Sequence, residues 1–160
     1  MKTKHWTNQL KNVSACSEAV AWATAYPSMQ AAWDACERGD WMLWWCGATS
    51  GVAYSDSRRL LVLCACECSR LALKFVKAGV ERPRQAIDCA ESWARGEHED
   101  HRKLADAASA AAAAAAYAAA YVSAAYAYGS SRARALKHCA DIVRRHYPKP
   151  PTIGDEASGT

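Results

Sequence analysis

Apolar residues recur along most of the chain at steps of three and four, the period of helices with a buried face, and no stretch alternates as a half-buried strand does. Ser14 precedes Cys16, Val20 and Ala23, which share one face, so it reads as the cap of a first helix that Pro27 stops after Tyr26. Met29, Trp33 and Cys36 mark a second helix closing at Gly39, and Asp40 caps a third across "DWMLWWCG". The strongest stripe runs from Asp56 to Gly79, with Leu60, Leu61, Cys64, Cys68, Leu71 and Phe75 on one face. Glu67, Arg70, Lys74 and Lys77 lie opposite, which predicts an amphipathic helix with one buried side. Pro83 then opens a helix that turns Ala86, Ile87, Ala90 and Trp93 inward and ends at Gly96. The last helix is capped by serine, buries Leu136, Ala140, Val143 and Tyr147, places Arg144 and Arg145 beside its negative end and stops at Pro148.

Between these lies an uncharged, mostly alanine run, Ala107 to Tyr128. At about 1.5 Å per residue it is long enough to cross a ~30 Å hydrocarbon layer. Alanine buries little apolar surface, however, and tyrosines and serines interrupt the run, so a membrane span is not expected. Alanine has the highest helix propensity, and no glycine or proline breaks the run, so it predicts a helix. Methyl side chains let backbones approach closely, which suits a central position or contact with a second subunit. "EHEDH" supplies the acidic first turn that the helix dipole favours. The expected fold is all-α: a compact multi-helix bundle with a long central alanine-rich helix, one domain over 1–147 and a disordered tail over 148–160.

Composition fits a single globular domain, with 160 residues, 51% hydrophobic and 22% charged. The N-terminal segment lacks the apolar run of a secretory signal, which points to the cytoplasm. Eight cysteines form no CxxC pair, so reduced and mostly buried thiols are expected rather than disulfides or a zinc site. The net charge of +4 is uneven: six Lys or Arg against one Asp lie between Gly129 and Pro150, whereas residues 85–106 hold six acids against three bases. An anionic partner is allowed. Polymeric nucleic acid is not expected, because acids dilute the bases and no groove-reading motif is present.

Few residues suggest catalysis. His98 and His101 share a helix face, but no clear third and fourth metal ligand follows, so a solvated acidic helix start is favoured over a metal site. In a helix, Cys66 diverges from Cys64 and Cys68 by roughly 160°, which suits small core residues better than a thiolate cluster. His138 and Cys139 diverge by about 100°, a poor base and nucleophile pair. With no phosphate loop or catalytic signature, neither an enzyme nor a cofactor is expected.

Aromatic usage points to binding instead: seven Trp and seven Tyr stand beside a single Phe. Trp41, Trp44 and Trp45 fall on one helix face. Stacking contributes about 1 to 3 kcal/mol per base, and arginine grips phosphate bidentately. The candidate contacts are therefore the aromatics Trp41, Trp44, Trp45, Trp93, Tyr117 and Tyr121 with the cations Arg82, Arg84, Arg95, Arg132 and Arg134, around an anionic nucleotide-like small molecule.

"LCACECSRLALKF" and "ERPRQAIDCAESWARGE", followed by the alanine run, resemble the Imm5-like family of immunity proteins of bacterial polymorphic-toxin systems, which has phage-encoded relatives. The likeness spans residues 56–128, and "ACERGDWMLWW" is similar to a segment of phage-type members. The resemblance implies an all-helical, non-enzymatic protein that neutralises a target within a bacterial host cell. Two forms of that function are expected. One is a homo-oligomeric phage-type sponge, joined through the alanine helix, that sequesters an anionic nucleotide-derived immune signal. The alternative is an antidote that blocks a toxin or defence effector protein, with exposed tryptophans as anchors.

Overall fold

The computed structural model describes residues 5–52, 54–97 and 130–152. The alanine run with Tyr117 and Tyr121, the "EHEDH" cluster beyond Glu97, with His98 and His101, and the subunit contact expected through that run all lie outside the described residues. Seven α-helices and no strand are found among the described residues, so the fold is all-α, as the periodicity predicts. They are α1 (Asn8–Asn12), α2 (Ser17–Ala23), α3 (Met29–Ala35), α4 (Gly39–Thr49), α5 (Asp56–Arg70), α6 (Arg82–Ala94) and α7 (Ser130–His146). A 3-10 turn, Leu73–Phe75, follows α5. Among the described residues, no helix is long and apolar enough to cross a membrane.

Helix α5 packs against α4, α6 and α7. It therefore buries two sides rather than the single face its stripe predicts. Cys64 and Cys68 join Met42, Cys46, Cys139, Ala140 and Val143 in the main core, while Cys66 turns to Ile87 and Ala90 of α6. Small thiols suit both seams because they let three neighbouring helices approach one backbone. Burial pushes the Cys66 thiol up to about 12. On the α6 side, Arg70 Nε and Nη2 donate to the two Glu91 oxygens at 2.8 and 2.9 Å, and Nη2 also reaches Asp88 Oδ1 at 2.6 Å. The helix ends at Arg70, short of the predicted Gly79, because Leu71 and Ala72 bond back only three residues and tighten the turn.

Three residues read as helix ends do other work, and one of them, Asp40, lies in the first turn of α4 rather than at its cap. Ser14 caps nothing. It holds φ +63° as the left-handed residue closing α1, with Ser14 N–H bonded to Lys11 O at 3.0 Å and Ala15 N–H to Leu10 O at 2.9 Å. Gly39 opens α4 instead of closing α3, because it packs directly on the α7 backbone at Cys139 and Ala140. Ser28 and Ser55 are the serines that cap, accepting from Ala31 N–H and Arg58 N–H, each at 3.2 Å.

Helices α3 and α7 exchange side-chain bonds. Trp33 Nε1 donates to Tyr147 O at 2.9 Å, and Arg144 Nη1 donates to Cys36 O at 2.7 Å and Trp33 O at 3.1 Å. Arg144 thus satisfies the end of α3 rather than the end of its own helix. The chain continues past Pro148 to reach α4, where Trp45 Nε1 donates to Pro151 O at 2.9 Å. Residues 148–152 of the expected tail are thus placed by the fold, and residues 153–160 lie outside the described part. Prolines 148, 150 and 151 favour the extended backbone that makes this reach.

Candidate ligand cleft

The first four helices enclose a cleft of about 380 Å³. Six of the seven tryptophans line it: Trp6 ahead of α1, Trp22 on α2, Trp33 on α3, and Trp41, Trp44 and Trp45 on α4. Helix α1 contributes Leu10 alone, whereas α2, α3 and α4 each contribute residues three and four apart, which share a face. Ala19, Trp22 and Ala23 come from α2; Met29, Ala32 and Trp33 from α3. The pairing of indoles with alanines explains the open volume, since methyl groups leave space between ring systems that cannot collapse into it.

The rings are held from behind. Trp6 Nε1 donates to Tyr26 O at 2.9 Å, and Trp33 and Trp45 spend their donors on Tyr147 and Pro151 as described. Trp33 and Trp45 are buried, whereas Trp44 is 42% exposed at the rim. Trp22 stands 4.6 Å from Tyr26 and 5.8 Å from Trp41, centroid to centroid, forming an aromatic wall between α2 and α4.

Charge is scarce and self-contained. Asp40 is the one carboxylate among the described lining residues. Arg38 Nε and Nη2 bind both of its oxygens at 2.8 and 2.7 Å, Nη1 lies 3.4 Å from Glu18 Oε1, and the guanidinium carbon sits 4.1 Å from the Trp41 ring centroid. Burial opposes the Asp40 charge, but the hydrogen bonds and charge of Arg38 outweigh it and hold the carboxyl below its usual range. Burial pushes the Cys36 thiol in the wall upward, so it stays neutral.

Of the residues singled out from sequence, Trp41, Trp44 and Trp45 come together here. The arginines do not join them. Arg82 and Arg84 on α6 and Arg95 at its end are exposed, Arg84 facing Glu81 at 3.7 Å and Arg95 facing Glu91 at 3.3 Å, and Arg132 and Arg134 are exposed on α7. Trp93 is a core residue, 3% exposed among Val62, Leu63 and Cys89, because α6 turns it onto α5. Sequence reasoning missed Trp6, Trp22 and Trp33 as site residues, and Arg38 as the nearby cation. Among the described residues, no group of three His, Cys, Asp or Glu is placed to hold a metal. Compared with known proteins, the chain matches no family model, no curated protein and no solved structure.

Proposed function

We propose that the chain is a non-enzymatic neutralising protein of conflict between bacteria, or between phage and host, that acts in the host cytoplasm by sequestration. Its cleft takes the aromatic part of a small nucleotide-derived immune signal and withholds that signal from its receptor. The setting comes from the Imm5-like resemblance, and oligomer formation through the alanine-rich run belongs to the same proposal. One observation carries the capture step: six of seven tryptophans line a single cleft of about 380 Å³. That volume lies within the roughly 300 to 1,000 Å³ of small-molecule sites, and a stacked ring gains about 1 to 3 kcal/mol.

Native mass spectrometry of the full chain, mixed with cyclic oligonucleotides and ADP-ribose-derived signals, tests this reading. Retention of one of those masses, lost on filling the cleft with Ala19→Leu, is the expected result. Retention that Ala19→Leu leaves intact, or no retention at all, rejects it. The 42% exposure of Trp44 at the rim favours a second reading, in which an apolar side chain of a toxin or effector protein enters the same cleft. A stable complex with such a protein, abolished by Trp44→Ala, would establish that form instead.

A further inference from the structure

We infer that the part of the ligand entering the cleft is an uncharged planar ring bearing hydrogen-bond acceptors, and that any phosphate on the ligand remains outside. The inference rests on the sequestration reading and sharpens it. Three features of the cleft lead to it.

The first is charge. Arg38, the cation lying on the Trp41 ring, is held by both oxygens of Asp40 and reaches Glu18, so one positive group faces two negative ones. An entering phosphate would meet a net negative rim and would have to displace Asp40 from a bidentate pair. An uncharged ring meets neither cost.

The second is the donor inventory. Three of the six indole N–H groups are committed to carbonyls, on Trp6, Trp33 and Trp45. Those of Trp22, Trp41 and Trp44 have no partner among the described residues, yet the buried polar side-chain atoms lacking one, among residues that are not exposed, are Arg59 Nε on α5 and Trp93 Nε1 on α6. The free donors of Trp22 and Trp41 are therefore accessible, Trp44 is itself 42% exposed at the rim, and an indole N–H only donates. They suit acceptor atoms on a ring edge. The third is shape: Trp22 and Trp41 stand 5.8 Å apart with their rings tilted by 59°, so a planar ligand stacked on one ring meets the other at an angle, an arrangement aromatic groups favour.

Tryptophan quenching by adenosine, guanosine, cytidine and uridine, each beside its 5′-monophosphate, tests the inference on the full chain at low and high salt. Cys16, exposed and on the cleft wall, reports location through its rate of alkylation by iodoacetamide. The expected result is that at least one nucleoside binds and slows Cys16 alkylation, that its monophosphate binds within about threefold as tightly, and that salt leaves both unchanged. A monophosphate that binds about tenfold or more tighter than its nucleoside, with affinity falling as salt rises, overturns the inference while leaving sequestration standing. A nucleoside that binds without protecting Cys16 overturns the inference too. If no nucleoside and no monophosphate binds, the inference fails outright, and the mass-spectrometric pool decides separately whether sequestration fails with it.

Discussion

Gly39 at the start of α4 lies against the main chain of Ala140 on α7, so close that a methyl group on residue 39 would stand 2.6 Å from the Ala140 nitrogen. Backbone cannot yield as a side chain can, so Gly39→Ala must push the two helices apart. We expect it to lower unfolding stability by about 1 to 3 kcal/mol, and to loosen the cleft wall that α4 carries. Gly47, in the same helix, supplies the contrast, since a methyl group there would meet only Leu61 Cδ2 at 3.9 Å. Gly47→Ala should gain about 0.5 to 1 kcal/mol from helix propensity. Urea midpoints of the two variants check both signs, and equal shifts would refute the close approach at residue 39.

Ser14 presents the reverse case. Its left-handed φ of +63° closes α1 and forms part of the cleft rim, yet a side chain there is strained by about 1 to 2 kcal/mol. Ser14→Gly should recover about 1 kcal/mol without moving the ring systems. A rise in thermal midpoint with unchanged near-ultraviolet circular dichroism is the expected result, and a fall would show that the serine hydroxyl supplies a contact outweighing its backbone strain.

These two positions also show what sequence does and does not disclose. Helix periodicity and end signals locate α6 closely, because Pro83 and Gly96 act through their own backbone angles. The divergence of Cys66 from Cys64 and Cys68 is likewise local geometry, and it correctly separates the two seams of α5. Gly39 misleads because a capping preference describes one helix, whereas its close approach to α7 is set by residues about a hundred positions away, and Ser14 misleads because the same serine that could cap the next helix closes α1 in a left-handed turn. The cleft is half legible for the same reason. Trp41, Trp44 and Trp45 share one helix face, but no period connects them with Trp6, Trp22 and Trp33 on other elements. Arg82, Arg84 and Arg95 qualify from sequence as cations able to grip phosphate, but nothing along the chain reveals that Arg38, set between Glu37 and Asp40, is the cation that stacks on an indole.

Acid should weaken the contact between α5 and α7. His146 Nε2 pairs with Glu67 Oε2 at 2.8 Å and Arg145 bonds the other oxygen. The hydrogen bond with His146, followed by that from Arg145, holds the Glu67 carboxyl below its usual 4.5. A carboxyl depressed in the folded state adds stability that is present above its unfolded value and is lost as pH falls through the folded one. Glu67 is 41% exposed, so screening keeps this contribution to about 1 kcal/mol or less. Glu67→Gln should melt below the parent at neutral pH, and the gap should close as pH falls below 4.5 and through the lowered value of the folded carboxyl. A gap that persists unchanged into acid would assign the loss to packing rather than to charge.

Arg144 joins the rear of the cleft to the rest of the bundle. Its guanidinium donates to the Trp33 and Cys36 carbonyls at the end of α3 and binds Asp141 Oδ1 at 2.6 Å, while Trp33 returns a bond to Tyr147. Arg144→Met keeps much of the stem volume and removes every donor. Two helix-end carbonyls then lose a charged partner, a change of about 1.5 to 3 kcal/mol. Because α3 supplies Trp33 and Ala32 to the cleft, we expect ligand affinity to fall along with stability. Arg70→Met removes a comparable ion pair on the α6 side, away from the six tryptophans of the cleft, and should lower stability while leaving affinity unchanged. Measuring both variants by urea unfolding and by tryptophan quenching separates the two effects. If Arg144→Met and Arg70→Met reduce affinity equally, α3 anchoring is not what shapes the cleft.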